Sequence, residues 1–266
     1  MYSFAYTSAV SIEAAVSAVK ADQEARFLSG GMSLLPSMKL RLAGPSQLVD
    51  VMRIDALRGV SDLGNTVRIG ATTTHYDVSQ SPILRERVPA IAELAAGIGD
   101  VQVRYRGTIG GSVANNDPAA DYPAGVLALN AKLITDRRSI SADDFFLGLF
   151  DTALEPSELL TAVEIQIPRR AAYVKFANLA SRFAVVGVFL ADFGTMIRIA
   201  VTGAGKGVFR LKEHEAALAK SFDPGAVASL SVPSTHFTSD VHATAEYRAH
   251  LTAELTKRAV SACLKN

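Results

Sequence analysis

The chain has 266 residues, 49% hydrophobic and 20% charged, which is enough apolar material for one large or two modest cores and argues against disorder. Lys plus Arg total 27 against 26 Asp plus Glu, a net charge of +1, so no strong field recruits nucleic acid or an anionic membrane. The single cysteine, Cys263, excludes an internal disulfide framework and the cysteine set that usually holds an iron–sulfur cluster or a structural zinc.

The start, Met1-Tyr2-Ser3-Phe4, lacks the basic segment of a secretory signal, and Glu13 interrupts the next apolar stretch. No window approaches the roughly 18 apolar residues of a membrane span, so a soluble cytoplasmic protein is expected. Ser11 is placed to cap a helix with Glu13 in its first turn and Ile12, Ala15, Val16 and Val19 on one face. Arg26-Phe27-Leu28 reads as a strand running into Gly30-Gly31. Ser33 then caps a helix that tolerates Pro36 in its first turn and stops before Gly44-Pro45. With a strand over 48–54, the opening 55 residues read as a β-α-β-α-β unit.

Further strands are expected over 67–70, 131–135 and 162–167, with helices starting near Thr74 and covering 90–98 and 121–129. Pro168-Arg169-Arg170 marks a change of composition. Beyond it, 173–176, 184–189 and 196–201 read as three antiparallel strands, followed by helices over 212–220 and 247–264. The apolar run 183–191 is too short to span a membrane and reads as a buried strand or short helix. Strands and helices intermix throughout, giving an α+β class.

Two glycine pairs carry the chemical signal: Ser29-Gly30-Gly31-Met32-Ser33 and Thr108-Ile109-Gly110-Gly111-Ser112. Without a Cβ, glycine lets backbone N–H groups approach a phosphate, and flanking hydroxyls add donors. Either pair alone fits an ordinary tight turn; two of the same form suit a pyrophosphate gripped from both sides. Since both pairs read as turns outside the core, valine at Gly110 or Gly111 is expected to abolish cofactor binding and spare the fold. Competing nucleotide motifs fail: Gly203-Ala204-Gly205-Lys206-Gly207 has Val208 where a dinucleotide fingerprint needs its last glycine, and no Ser or Thr follows Lys206. That segment reads as a turn between strands.

Asp117 and Asp121 lack a third ligand for a metal, so one is read as a turn former and the other as functional. His75, alone among threonines, reads as a surface or capping residue, and His236 and His242 as solvated loop residues. With so little side-chain chemistry, a cofactor is expected to be the reactive group.

The run Leu28 to Pro36, followed by Met38-Lys39-Leu40-Arg41, and the run from Thr108 to Ser112 through Asp117-Pro118-Ala119-Ala120-Asp121-Tyr122-Pro123 together resemble the FAD-binding medium subunit of the molybdenum hydroxylases, the group of carbon monoxide dehydrogenase and xanthine dehydrogenase. The segments 68–75, Val201 to Arg210 and Tyr247 to Leu251 extend the resemblance over nearly the whole chain. It implies a two-subdomain FAD-binding fold of the vanillyl-alcohol-oxidase/PCMH type over 1–168, divided near residue 55, and a C-terminal α+β domain with a small antiparallel sheet over 169–266. It implies that Ser29, Gly30, Gly31, Met32, Ser33 and Leu34, with Thr108, Ile109, Gly110, Gly111 and Ser112, contact FAD around its pyrophosphate and ribityl region. Asn115 and Asp121 match further FAD contacts, and no catalytic side chain or metal ligand falls on this chain. Neither glycine loop contains Cys or His suited to a flavin linkage, so FAD is expected to be non-covalent.

The resemblance also implies an iron–sulfur small subunit and a molybdopterin large subunit as partners, with electrons leaving the flavin for an external acceptor. A stand-alone FAD oxidase of the same fold is the alternative, and a module that has lost FAD is a third reading. Family members often carry an acidic residue near the flavin ring, after the Tyr-x-Lys strand. Here Tyr173-Val174-Lys175-Phe176 is followed by Ser181-Arg182-Phe183, so a positive charge is expected there, favouring the reduced anionic flavin.

Overall fold

The computed structural model describes residues 1–265, with only the backbone described at His236. The expectation that His236 is solvated therefore lies outside the described residues.

The first unit comprises β1 (Ala5–Ser8), α1 (Ile12–Ala21), β2 (Arg26–Leu28), α2 (Leu34–Lys39) and β3 (Gln47–Asp50). Its parallel sheet has the order β1-β3-β2. Ser11 caps α1, its Oγ accepting from Ala14 N at 3.1 Å, and α1 buries Ala15, Val16 and Val19 against Val49 and Leu57. One expectation needs correction and one holds, since the helix ends ahead of Gly44-Pro45. Ser33 sits in helical backbone and its side chain caps nothing. The helix stops at Lys39 because Arg41 turns left-handed, with φ of 61°.

The second unit contains β4 (Val60–Asp62), β5 (Thr66–Gly70), α3 (His75–Gln80), α4 (Pro82–Arg87), α5 (Pro89–Ala96), α6 (Val101–Arg106), α7 (Ile109–Asn115), α8 (Tyr122–Ala128), β6 (Lys132–Thr135), β7 (Ser139–Ser141), α9 (Ala142–Phe145), the ribbon β8 (Phe146–Gly148) and β9 (Asp151–Thr152), and β10 (Leu160–Gln166). Its antiparallel sheet runs β4-β5-β10-β6-β7. The helices cover one face, burying Ile91, Leu94, Tyr122 and Phe145.

The third unit has β11 (Arg170–Ala177), β12 (Ala184–Asp192), β13 (Ile197–Thr202) and β14 (Phe209–Arg210) in one antiparallel meander, flanked by α10 (Lys212–Lys220) and α11 (Ala245–Cys263). Every residue of β12 is buried because both faces of the strand are covered. Phe189 and Ala191 join the core under α5 and α8, while Val186, Val188 and Leu190 join the core under α11. This double burial explains the unbroken apolar run, which carries no polar alternation to mark it as a strand. Gly187 fits the same packing: a Cβ there would stand 2.4 Å from the Tyr173 hydroxyl.

Candidate functional site

A cleft of about 790 Å³ opens where the three units meet, within the range of ligand clefts. The turn after β2, the first turns of α2 and α7, the segments around Ala71–His75 and Leu154–Leu160, and Ser181–Phe183 of the β11–β12 hairpin all line it.

All the residues expected at a cofactor border this cleft except one: Ser29 through Leu34, Thr108, Gly110, Gly111, Ser112, Asn115 and Asp121. Ile109 is the exception. It is fully buried and packs in the second unit's core, because side chains a residue apart in a helix point to different faces.

The two glycine pairs are not equivalent. The second is helical, not a loop: Thr108 caps α7 and its Oγ1 accepts from Gly111 N at 3.1 Å. Gly110 N donates to Ala71 O at 2.9 Å and Ile109 N to Thr73 O at 3.1 Å, while Ser112 N closes the first helical turn on Thr108 O at 3.0 Å. Every N–H over 109–112 is thus satisfied within the protein. In the first pair, among the described residues, the N–H groups of Gly30, Gly31, Met32, Ser33 and Leu34 have no protein partner. Gly31 sits at φ of 73°, a conformation that glycine permits. A Cβ on Gly30 would stand 2.1 Å from Arg106 O, so the loops meet backbone to backbone.

Gly110 is also a packing glycine. A Cβ there would lie 2.5 Å from the Ala71 Cβ and 2.6 Å from its carbonyl oxygen. At Gly111 a Cβ would meet only the Thr108 hydroxyl closer than 3.9 Å. The expectation that valine at either glycine spares the fold is therefore corrected for Gly110, which lies in the core.

Asp117 is the turn former of the two aspartates, and Asp121 lies in a different setting. Asp117 Oδ1 accepts from Ala119 N at 2.9 Å and forms the turn. Asp121 is buried, and its Oδ1 accepts from the Tyr173 hydroxyl at 2.5 Å and lies 2.8 Å from Lys175 Nζ. Burial pushes its carboxyl above the ordinary range, opposed by the Lys175 charge and by hydrogen bonds. Lys175 also donates to Gly97 O at 2.9 Å and Arg182 O at 3.0 Å, which fixes the hairpin turn at the cleft. Arg182 has φ of 61° and belongs to the cleft wall. At the same cleft, the Arg138 guanidinium beside Glu158 holds its carboxyl at about 2, despite the opposing effect of burial.

Several cleft residues carry no sequence signal. Leu42 through Pro45 and Leu154 reach the wall only through chain folding. His75 is corrected outright: it is 5% exposed and lines the cleft, and its neighbour Thr74 is the helix cap. His242 is exposed as expected. Gly205 lies between β13 and β14 as expected, where it is buried and bridges to Phe237. No helix among the described residues is long and apolar enough to cross a membrane.

The family model for the FAD binding domain in molybdopterin dehydrogenase matches residues 2–169. The chain is 38% identical to the carbon monoxide dehydrogenase medium chain of Hydrogenophaga pseudoflava, over 90% of this chain and 89% of that one. It is 35% identical to the nicotine 6-hydroxylase medium subunit of Paenarthrobacter nicotinovorans, over 96% and 95%. Its fold superposes on reconstituted CO dehydrogenase from Oligotropha carboxidovorans with a TM-score of 0.90 at 34% identity, covering 98% of this chain and 97% of that one. The open donors, the glycine approach and the relatives agree, and the chain belongs to the FAD-binding family of the molybdopterin dehydrogenases, as an oxidoreductase subunit whose cofactor is FAD.

Proposed function

We propose that the chain is the electron-transfer subunit of a molybdopterin and iron–sulfur oxidoreductase complex, receiving electrons from an iron–sulfur subunit and passing them to an external acceptor. The observation that carries this reading is the set of open backbone donors at Gly30–Leu34 in a cleft whose buried carboxylates, Asp121 and Glu158, are already paired with cations. Such a cleft is built to hold a cofactor more than to transform a substrate with its own side chains. Bound FAD would supply stepwise one-electron acceptance and a store of two electrons for the acceptor.

The Gly30–Leu34 amides and the Ser29, Thr108 and Ser112 hydroxyls hold the pyrophosphate region, with Asn115 adding a polar contact. Asp121, kept in place by Tyr173 and Lys175, binds further along the cofactor, and the Ser181–Phe183 turn of the 169–266 region shields the flavin end from water. Buried Cys263, with its thiol pushed up to about 12 by burial, is no cluster ligand. The iron–sulfur centre therefore belongs to a small subunit, and the substrate chemistry to a molybdopterin large subunit.

The test is stopped-flow absorbance of the flavin. In the assembled complex, its reducing substrate should bleach the flavin, and the isolated FAD-loaded chain should stay oxidised. Bleaching of the isolated chain at the rate of the assembly would replace this reading with a stand-alone FAD oxidase.

A further inference from the structure

His75 is 5% exposed, lines the cleft, and has no side-chain hydrogen bond among the described residues. Its Nδ1 is sealed off without a partner, against a wall that includes the Tyr122 ring at 5.3 Å between centroids. The other ring nitrogen, Nε2, approaches Gly107 so closely that a Cβ there would stand 2.5 Å from it. Backbone ties hold the imidazole in this place: His75 N donates to Gly107 O at 2.9 Å, and Thr74 bridges Thr108. The ring is therefore fixed beside the start of α7, where the two glycine segments meet.

The proton position follows from solvation. A proton on Nδ1 would be a buried donor with no acceptor, an expensive arrangement, whereas a lone pair there costs less. Burial and the Arg104 charge also push the imidazole down to about 4, so near pH 7 it carries one proton. That proton belongs on Nε2, the nitrogen next to the cleft. Unlike the sealed Nδ1, Nε2 is not shut off from the cleft that His75 lines, and with no protein acceptor its N–H is free to meet one on a ligand there.

We propose that His75 is a further FAD-binding residue, its Nε2–H donating to an acceptor oxygen of the dinucleotide where the cleft passes Gly107 and Thr108. This rests on the reading of the cleft as the FAD site. The role is that of a binding residue; His75 neither accepts nor delivers a proton in it.

The full-length chain is stripped of flavin and titrated with FAD, following fluorescence quenching, for wild type, His75→Phe, His75→Gln and Gly111→Val. His75→Phe keeps a ring and loses the donor, and its Kd should rise about ten- to a hundredfold. His75→Gln places an amide N–H at a similar reach and should stay within about threefold of wild type. An unchanged Kd for His75→Phe overturns the proposal. If Gly111→Val also binds normally, the cleft reading falls with it; if Gly111→Val alone fails to bind, only the His75 assignment is lost. Should His75→Phe not fold, the histidine 15N spectrum of the wild-type chain decides, with five histidines to resolve. FAD should shift the His75 Nε2–H resonance downfield and slow its exchange, and an unmoved resonance overturns the proposal.

Discussion

Ser29 Oγ and Thr108 Oγ1 lie 2.9 Å apart although 79 residues separate them in the chain. Thr108 Oγ1 also accepts from Gly111 N, so one hydroxyl caps α7 and ties it to the turn after β2. The first glycine segment supplies open donors, and the second supplies a fixed, close wall. Thr108→Val should lose both hydrogen bonds, destabilise the flavin-free chain by about 1–2 kcal/mol and weaken FAD binding. Unchanged melting and unchanged FAD affinity would contradict this coupling.

The glycines of α7 should respond differently to substitution. Gly110→Val drives a side chain into Ala71, and overpacking of this kind costs about 1–3 kcal/mol or more. Gly111→Val meets only the Thr108 hydroxyl at close range and otherwise projects toward the cleft. Melting curves of the flavin-free chains should show a large loss for Gly110→Val and a small one for Gly111→Val, while both lose bound FAD. Equal melting temperatures for the two would show that Ala71 yields easily.

The buried pair of Asp121 and Lys175 predicts a penalty for removing either charge alone. Lys175→Met leaves the Asp121 carboxylate without its cation, and breaking a buried pair costs about 3–5 kcal/mol when the remaining ion stays charged. The double variant Asp121→Asn with Lys175→Met should recover much of that loss. Urea titration of wild type, Lys175→Met, Asp121→Asn and the double variant checks the ordering, and strict additivity of the two single losses would mean that the pair is uncoupled.

At the cleft mouth, Arg182 places a positive charge beside the proposed flavin end. Arg182→Asn removes the charge and tolerates the left-handed backbone. An exposed charge is worth up to about 1 kcal/mol, so the two-electron potential should fall by about 10–20 mV. Photoreduction against a reference dye measures it; an unchanged potential would place Arg182 away from the ring.

Histidine 75 also sets a pH dependence. Its imidazole falls from the ordinary 6.5 to about 4 in the folded chain, so between these values the unfolded state binds more protons. Stability should therefore rise with pH across this window and be lost as the pH drops, by up to about 3 kcal/mol from this group. His214, also lowered by burial, adds in the same direction. Melting of the flavin-free wild type from pH 7.5 to 4.5 should fall more steeply than that of His75→Gln. Parallel curves would mean that His75 titrates normally.

The local grammar of the chain was sufficient for much of the fold. Ser11 caps a helix whose apolar residues recur at helical spacing, a helix starts at Thr74 and α10 spans the residues its pattern predicts, whereas α7, capped by Thr108, lies where the glycine pair reads as a turn. The glycine pairs, with the family resemblance they carry, identified the cofactor class, because close backbone approach leaves a residue-type signature. What the tertiary structure decided was which of those glycines face a ligand. Gly110 and Gly111 are neighbours of identical chemistry, yet one abuts Ala71 and the other opens on the cleft. His75 was likewise illegible as a site residue: its burial comes from Gly107 and Tyr122, 32 and 47 residues further along. Capping and periodicity are set by neighbours in sequence, whereas burial, proton position and open donors are set by neighbours in space.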